Sequence, residues 1–175
     1  MRRPILSTAL LCLFVLGGQA LAQQAPPPAT APAPTPAPAA APPPFGTPIT
    51  IDQAKAAAAA AIAEAKKNNL FYAVAIVEPS GDLVYFERMD NAQYASTKIA
   101  QNRARASALF RRPTKAFSDR VAQNDFTVFA LEGANWSEGG LPIVVGGKMI
   151  GAIGASGGTQ AQDGQVAKAG ADAVK

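Results

Sequence analysis

No histidine occurs anywhere in the 175 residues, and the only cysteine, Cys12, stands near the start of the chain. The first absence excludes Ser-His-Asp and Cys-His catalysis, the common zinc sites and the commonest haem ligand. The second leaves the chain beyond Cys12 without a disulfide, a thiol nucleophile or a thiolate metal site. Charge is also scarce: 16% of residues are charged and the formal net charge is +4. No basic run accompanies it, so nothing marks a nucleic-acid surface. The longest apolar run, Ile5 to Leu16, is shorter than the roughly 20 residues a bilayer span requires.

That run has a different use. Met1-Arg2-Arg3 is a basic start, and Ala20-Leu21-Ala22 fits a small-residue cleavage site. Residues 1–22 are expected to be a secretory signal peptide cut before Gln23, which implies a periplasmic or secreted protein. Removing Arg2 and Arg3 leaves a formal charge of +2. Residues 23–48 hold eleven of the 15 prolines, mixed with Ala and Thr. They are expected to form a disordered Pro/Ala-rich linker, extended at about 3.1 Å per residue. Such a segment serves as a spacer or as a ligand for a proline-reading partner.

Residues 49–175 suffice for one domain with one core. Thr50-Ile51-Asp52-Gln53 is a capping box, followed by a buried stripe of Ala54, Ala58, Ala61, Ile62 and Ala65. Phe71–Glu78 reads as a central strand, Pro79-Ser80-Gly81-Asp82 as a turn, and Leu83–Arg88 as the returning strand. A second helix is expected from Ser96, its cap, to Phe110, with Ile99, Arg103, Ala106 and Phe110 on one face. Ser118–Gln123 suggests a short helix, and Phe126–Trp136 a short irregular strand running into a loop. Leu141–Val145 and Lys148–Ala155 form a hairpin about Gly146-Gly147. A last helix runs from its cap, Asp163, to Val174. The order implies an α+β domain: an antiparallel sheet with packed helices. Its broad alanine faces imply self-association into a homo-oligomer.

The loop Ser156-Gly157-Gly158-Thr159 lies between a strand and a helix start. Its free N–H groups suit a carboxylate or phosphate. Arg103, a charge on an apolar face, either packs its stem and reaches water or a carboxylate, or clamps an anion at a pocket edge. With Arg103 or Arg112 nearby, the loop is expected to be the anion end of a ligand pocket. Gly146-Gly147-Lys148 is not a phosphate loop, because Pro142 and Met149 occupy positions reserved for Gly and Ser/Thr. Glu132 and Glu138 are the carboxylates near enough in sequence to this region to serve as an acid/base pair.

Several blocks together resemble the GlcG/HbpS group, also called the haem-degrading or DUF336 family. They are Arg88-Met89-Asp90, Ile99 to Ala104, Arg112-Pro113-Thr114, Gly139 to Ile143, Gly151 to Gly158, Asp163, and Ala167 to Gly170. The resemblance implies a profilin-like five-stranded antiparallel sheet with helices, assembled as an oligomer. It also implies haem or a small anionic ligand as partner, and adds Thr114, Gly139 and Gly140 to Arg103, Arg112 and Ser156–Thr159 as ligand-site residues. Family members carry lysine where Arg103 stands, and the histidine by which some bind haem has no counterpart here. Axial ligands for haem would then come from Met89 or Tyr94, ahead of Tyr72, Tyr85, Met149 and Thr114. Two other readings fit the same residues: an enzyme of small organic acids using the Ser156–Thr159 loop, and an accessory oligomer whose glycines serve packing.

Overall fold

The structure is a computed structural model that describes residues 41–175; the expected signal peptide and the linker as far as residue 40 lie outside the described residues. Helix α1 (Ile51–Lys67) opens on the expected capping box. The Thr50 hydroxyl accepts the Gln53 N–H at 3.3 Å and the Gln53 side chain accepts the Thr50 N–H at 3.1 Å. Its inward face is Ala54, Ala57, Ala58, Ala61, Ile62 and Ala65. Strands β1 (Ala73–Val77) and β2 (Leu83–Arg88) follow, then α2 (Tyr94–Phe110), α3 (Lys115–Ala122), the hairpin β3 (Gly140–Val145) and β4 (Lys148–Ser156), and α4 (Gln160–Asp172).

Among the described residues the sheet has four antiparallel strands in the order β2-β1-β4-β3, one fewer than the expected five. The missing strand is Phe126–Trp136, which instead begins as a 3-10 turn, Phe126–Ala130. Its reason is visible in the spacing. Only Val128 of that turn is buried, and Phe126 and Phe129, three apart, stack at 5.9 Å. One buried residue per turn is a helical repeat, not a strand's alternation. The Asp125 carboxylate caps the turn by accepting the Thr127 N–H at 3.1 Å.

Two caps also differ from expectation. Helix α2 starts at Tyr94 without a side-chain cap, and Ser96 is buried against Ser156, their hydroxyls 3.3 Å apart. Thr159, not Asp163, caps α4, in a second capping box with Gln162. The buried residues of α2 are Ser96, Ala100, Arg103, Ala104, Ala106, Ser107 and Ala108, with Ile99 turned partly outward.

Helices α1 and α4 cover one face of the sheet over Tyr72, Val74, Ile76, Ile143 and Ile153. Helix α2 covers the other, where Ala100, Ala104 and Ala108 meet Ala73, Ala75, Val77 and Ala152. Small side chains on both sides let the backbones come very close. The linker's last residues join this domain. β1 pairs with β4 only from Ala152 onward, leaving the first residues of β4 open on that side. Pro44, Gly46 and Ile49 fill the gap through three backbone hydrogen bonds of 2.8 Å to Met149 and Ile150. Residues 44–48, which the sequence assigns to the linker, thus run beside β4. Among the described residues no helix is long and apolar enough to cross a membrane.

The closest approach of α2 to the sheet is at Gly154. A Cβ there would run into the Ala100 carbonyl and lie 2.5 Å from the Ala104 nitrogen, both backbone atoms. Gly154→Ala must push helix and sheet apart and is expected to cost about 3 kcal/mol or more. Gly146→Ala, in a turn with φ +56° and nothing within 4 Å, is expected to cost only about 1 kcal/mol of left-handed strain. Urea denaturation of the two variants checks this, and equal losses would overturn the close-packing account.

Candidate ligand site

Asp163 sits in the first turns of α4, almost wholly buried. One carboxylate oxygen accepts the N–H groups of Gly157 and Gly158, at 3.1 and 2.9 Å. The other accepts from Arg103 Nη1 at 2.6 Å, across from α2. The same nitrogen donates to the Ala155 carbonyl at 2.7 Å, and Arg103 Nε donates to the Ser137 hydroxyl at 3.1 Å. The sequence suggests Arg103 and the glycine loop as the anion end of a ligand pocket; in the structure both are bonded to one side chain of the chain itself. The anion in this cradle is the side chain of Asp163.

The cradle is closed on every side. A Cβ at Gly157 would strike the Phe71 carbonyl and the Tyr72 ring, and Gly139, at φ +126°, is pressed against Arg103 and Asp163. Tyr72 lies fully buried alongside, and its hydroxyl has no hydrogen-bond partner among the described residues. Burial, with the Asp163 charge nearby, pushes its pKa well above that of free tyrosine, so it stays neutral.

The open site lies on the other side of Gly139-Gly140. Arg111 ends α2 in a left-handed conformation, φ 50° and ψ 41°. Thr114, fully buried, donates its N–H to the Gly140 carbonyl and accepts the Gly140 N–H at its hydroxyl, each at 3.0 Å. This double clip fastens Arg112-Pro113-Thr114 to the start of β3. Beside it opens a pocket of about 460 Å³ whose walls are Pro42, Pro43, Pro113, Ala116, Leu141, Pro142 and Val144. Arg111 and Arg112 stand at its edge. The Arg111 guanidinium lies 4.9 Å from the Phe45 ring centre and donates to the Pro43 carbonyl at 3.4 Å. Arg112 is exposed and donates to the Phe110 carbonyl at 3.2 Å. Among the described residues neither arginine is paired with a carboxylate. An apolar hollow of this size with a few charged groups at its rim is the usual form of a small-molecule site.

A family profile described as haem degrading protein HbpS-like matches residues 49–172. The chain belongs to this HbpS-like family. Protein GlcG of Escherichia coli K12 is 43% identical over 94 residues, 53% of this chain and 69% of GlcG. The crystal structure of HbpS is 30% identical, with TM-score 0.68, covering 74% of this chain and 92% of that one. A PduOC:haem complex is similar in fold, with TM-score 0.67 at 22% identity, covering 74% and 96%.

Within the HbpS-like domain the sequence-derived site residues thus divide into two groups. Arg103, Gly139, Gly157 and Gly158 build the closed cradle, Thr159 caps α4, and Ser156 is buried on Ser96. Arg112 stands at the edge of the open pocket, and Thr114 and Gly140 form the buried clip beside it. Met89 and Tyr94 belong to neither. Met89 follows β2, at the opposite edge of the sheet from β3, roughly 14 Å away at three strand spacings. Its sulfur accepts the Tyr72 N–H at 3.3 Å, and Tyr94 is 86% exposed under the Arg88 guanidinium. Sequence reasoning missed Asp163 as the central carboxylate, although it stands one residue beyond the capping-box Gln162. It also missed Pro42, Pro43, Leu141, Pro142 and Val144, whose only sequence signal was their apolar or proline character.

A buried pair that loses one member leaves an uncompensated charge, which costs about 3–5 kcal/mol. Asp163→Asn is therefore expected to destabilise the fold by about 3 kcal/mol, as is Arg103→Met. The double variant Arg103→Met with Asp163→Leu is expected to cost clearly less than the sum. Denaturation of all three gives the coupling directly. Additive losses would mean that the two side chains do not act as a pair.

Proposed function

We propose that this HbpS-like domain binds haem, or a ligand of the same flat, apolar, carboxylate-bearing kind, in the pocket beside Arg111 and Arg112. The observation that carries the reading is the pairing of an apolar hollow with two guanidinium groups that have no carboxylate partner among the described residues. Proline, leucine and valine walls suit the face of a porphyrin, and guanidinium groups suit its propionates. The family description and the haem complex of PduOC support the choice of ligand. The fit extends to the organic part of haem and stops there. No pocket residue offers the iron a histidine, methionine, cysteine or tyrosine. The nearby Thr114 hydroxyl is buried and bonded to Gly140. An enzyme of organic acids built on the Ser156–Thr159 loop loses its support, because the Gly157 and Gly158 N–H groups already bond Asp163.

Two further properties belong to the same proposal. The mature protein begins near Gln23 outside the cytoplasm, and it self-associates. Phe126, Phe129, Trp136 and Leu109, each 42–55% exposed, supply apolar surface for a second copy. Mass spectrometry of the periplasmic fraction and sedimentation of the purified mature protein at micromolar concentration check these points. A Met1 species confined to the cytoplasm, or a clean monomer, would remove the corresponding claim.

For binding itself, Arg112→Ala is expected to weaken haem about tenfold, or about 1.4 kcal/mol, in a titration followed at the Soret band. Arg105→Ala, an exposed arginine elsewhere on α2, is expected to change nothing. Unaltered affinity in Arg112→Ala would overturn the pocket assignment.

A further inference from the structure

We infer that this pocket selects its ligand by apolar face and carboxylates alone and is indifferent to the metal, so that a metal-free porphyrin binds as tightly as haem. The inference rests on the assignment of the pocket made above and adds what the pocket recognises.

The donor chemistry of the chain carries it. An iron centre gains affinity from a protein only where a nitrogen, sulfur or oxygen lone pair can reach it. The walls here are hydrocarbon, and the two side chains that are not, Arg111 and Arg112, are permanent cations that cannot ligate a metal. Among the described residues the histidine, cysteine, methionine, tyrosine and nearby threonine donors are absent, buried or remote, and Lys115, next to Ala116 of the wall, is paired with Asp119 at 2.6 Å. There is no histidine. Thr114 is sealed under its clip to Gly140. Met149 and Tyr72 are fully buried in the core. Tyr85 is bonded to Glu87 on the far-edge strand, and Met89 and Tyr94 follow that same strand. A second copy of the chain at an interface brings no histidine either.

What remains is common to haem and to the same ring without iron. Both present a flat apolar face to Leu141, Pro142, Val144 and Pro113, and both carry two carboxylates for the arginines. Charge-assisted bonds between guanidinium and carboxylate have the geometry for that recognition. Esterifying the carboxylates should therefore matter, and removing the iron should not.

The test titrates the mature full-length protein in parallel with haemin, protoporphyrin IX and protoporphyrin IX dimethyl ester. Quenching of Trp136, the only tryptophan, and the porphyrin absorbance report binding. Dissociation constants for haemin and protoporphyrin IX are expected to agree within about threefold, with Arg112→Ala weakening both by the same factor of about ten. The dimethyl ester is expected to bind at least about tenfold more weakly. A gap of tenfold or more between haemin and protoporphyrin IX, in either direction, overturns the inference and leaves the pocket standing if Arg112→Ala still weakens haemin. Equal binding of the ester overturns the claim for the carboxylates. Failure of all three ligands to bind removes the proposed function together with the inference.

Discussion

A single buried carboxylate ties three separate elements of this fold together. Asp163 starts from α4, reaches the loop that ends β4 through two glycine N–H groups, and meets α2 through Arg103. Removing two charges from water is costly, and their attraction offsets the cost only when every remaining donor and acceptor is matched. Here both carboxylate oxygens are bonded, and Arg103 has Ala155 and Ser137 as further acceptors. Such a pair contributes little net stability over a hydrophobic substitute, but it penalises any arrangement that separates its members. It therefore sets where α2 lies along the sheet, and with it the position at which α2 ends.

That end is where the open pocket forms. Because the α2 interface is built mostly from alanines, the helix lies close on β1 and β4, and Arg103 is the one long side chain among its buried residues. The helix then stops at left-handed Arg111, and Thr114 clips the following turn onto Gly140. Bulk is thus missing from this side of the domain, and the turn after α2 stands beside β3 with a hollow between them. The end of the linker completes one wall, held there by Arg111 and by its backbone bonds to Met149. Arg103 and Arg112 lie only nine positions apart, yet one is a buried, bonded charge and the other is exposed without a carboxylate partner among the described residues.

Features governed by neighbours in sequence were legible before the fold was known. The capping box at Thr50, the alanine stripe of α1, the Gly146-Gly147 hairpin and the family blocks all depend on short-range patterns. Features that needed distant partners were not. Asp163 was read as a cap because its position near a helix start is local, whereas its pairing with Arg103 spans 60 residues. The Phe126–Trp136 segment carries aromatic residues that suit a strand, but in the fold Phe126, Phe129 and Trp136 stay exposed and Val128 alone of the 3-10 turn is buried, packed by α3. Pro44 to Pro48 look like linker in composition and become part of the domain only because β1 leaves an edge of β4 open. The site was half legible for the same reason: the residue types were present, and only the tertiary arrangement separates a closed cradle from an open pocket.

Magnitudes decide how the open pocket works. An exposed arginine paired with a carboxylate contributes about 0.2–1 kcal/mol, more where geometry is bidentate. Apolar surface removed from water contributes about 25 cal/mol per Å². Covering even 100 Å² of ligand face on Leu141, Pro142, Val144 and the prolines, taken as a round figure, then yields about 2.5 kcal/mol, exceeding either arginine alone. In the proposed binding mode the hollow thus provides most of the affinity, and the arginines set orientation and disfavour ligands without an anionic end. A buried charge inside the hollow would reverse that division, because its desolvation would cancel the gain. Asp163 and Arg103 are buried, matched and closed, whereas Arg111 and Arg112 stand at the pocket rim without a carboxylate partner among the described residues. That separation makes an apolar, carboxylate-edged ligand the chemistry to which this surface is complementary.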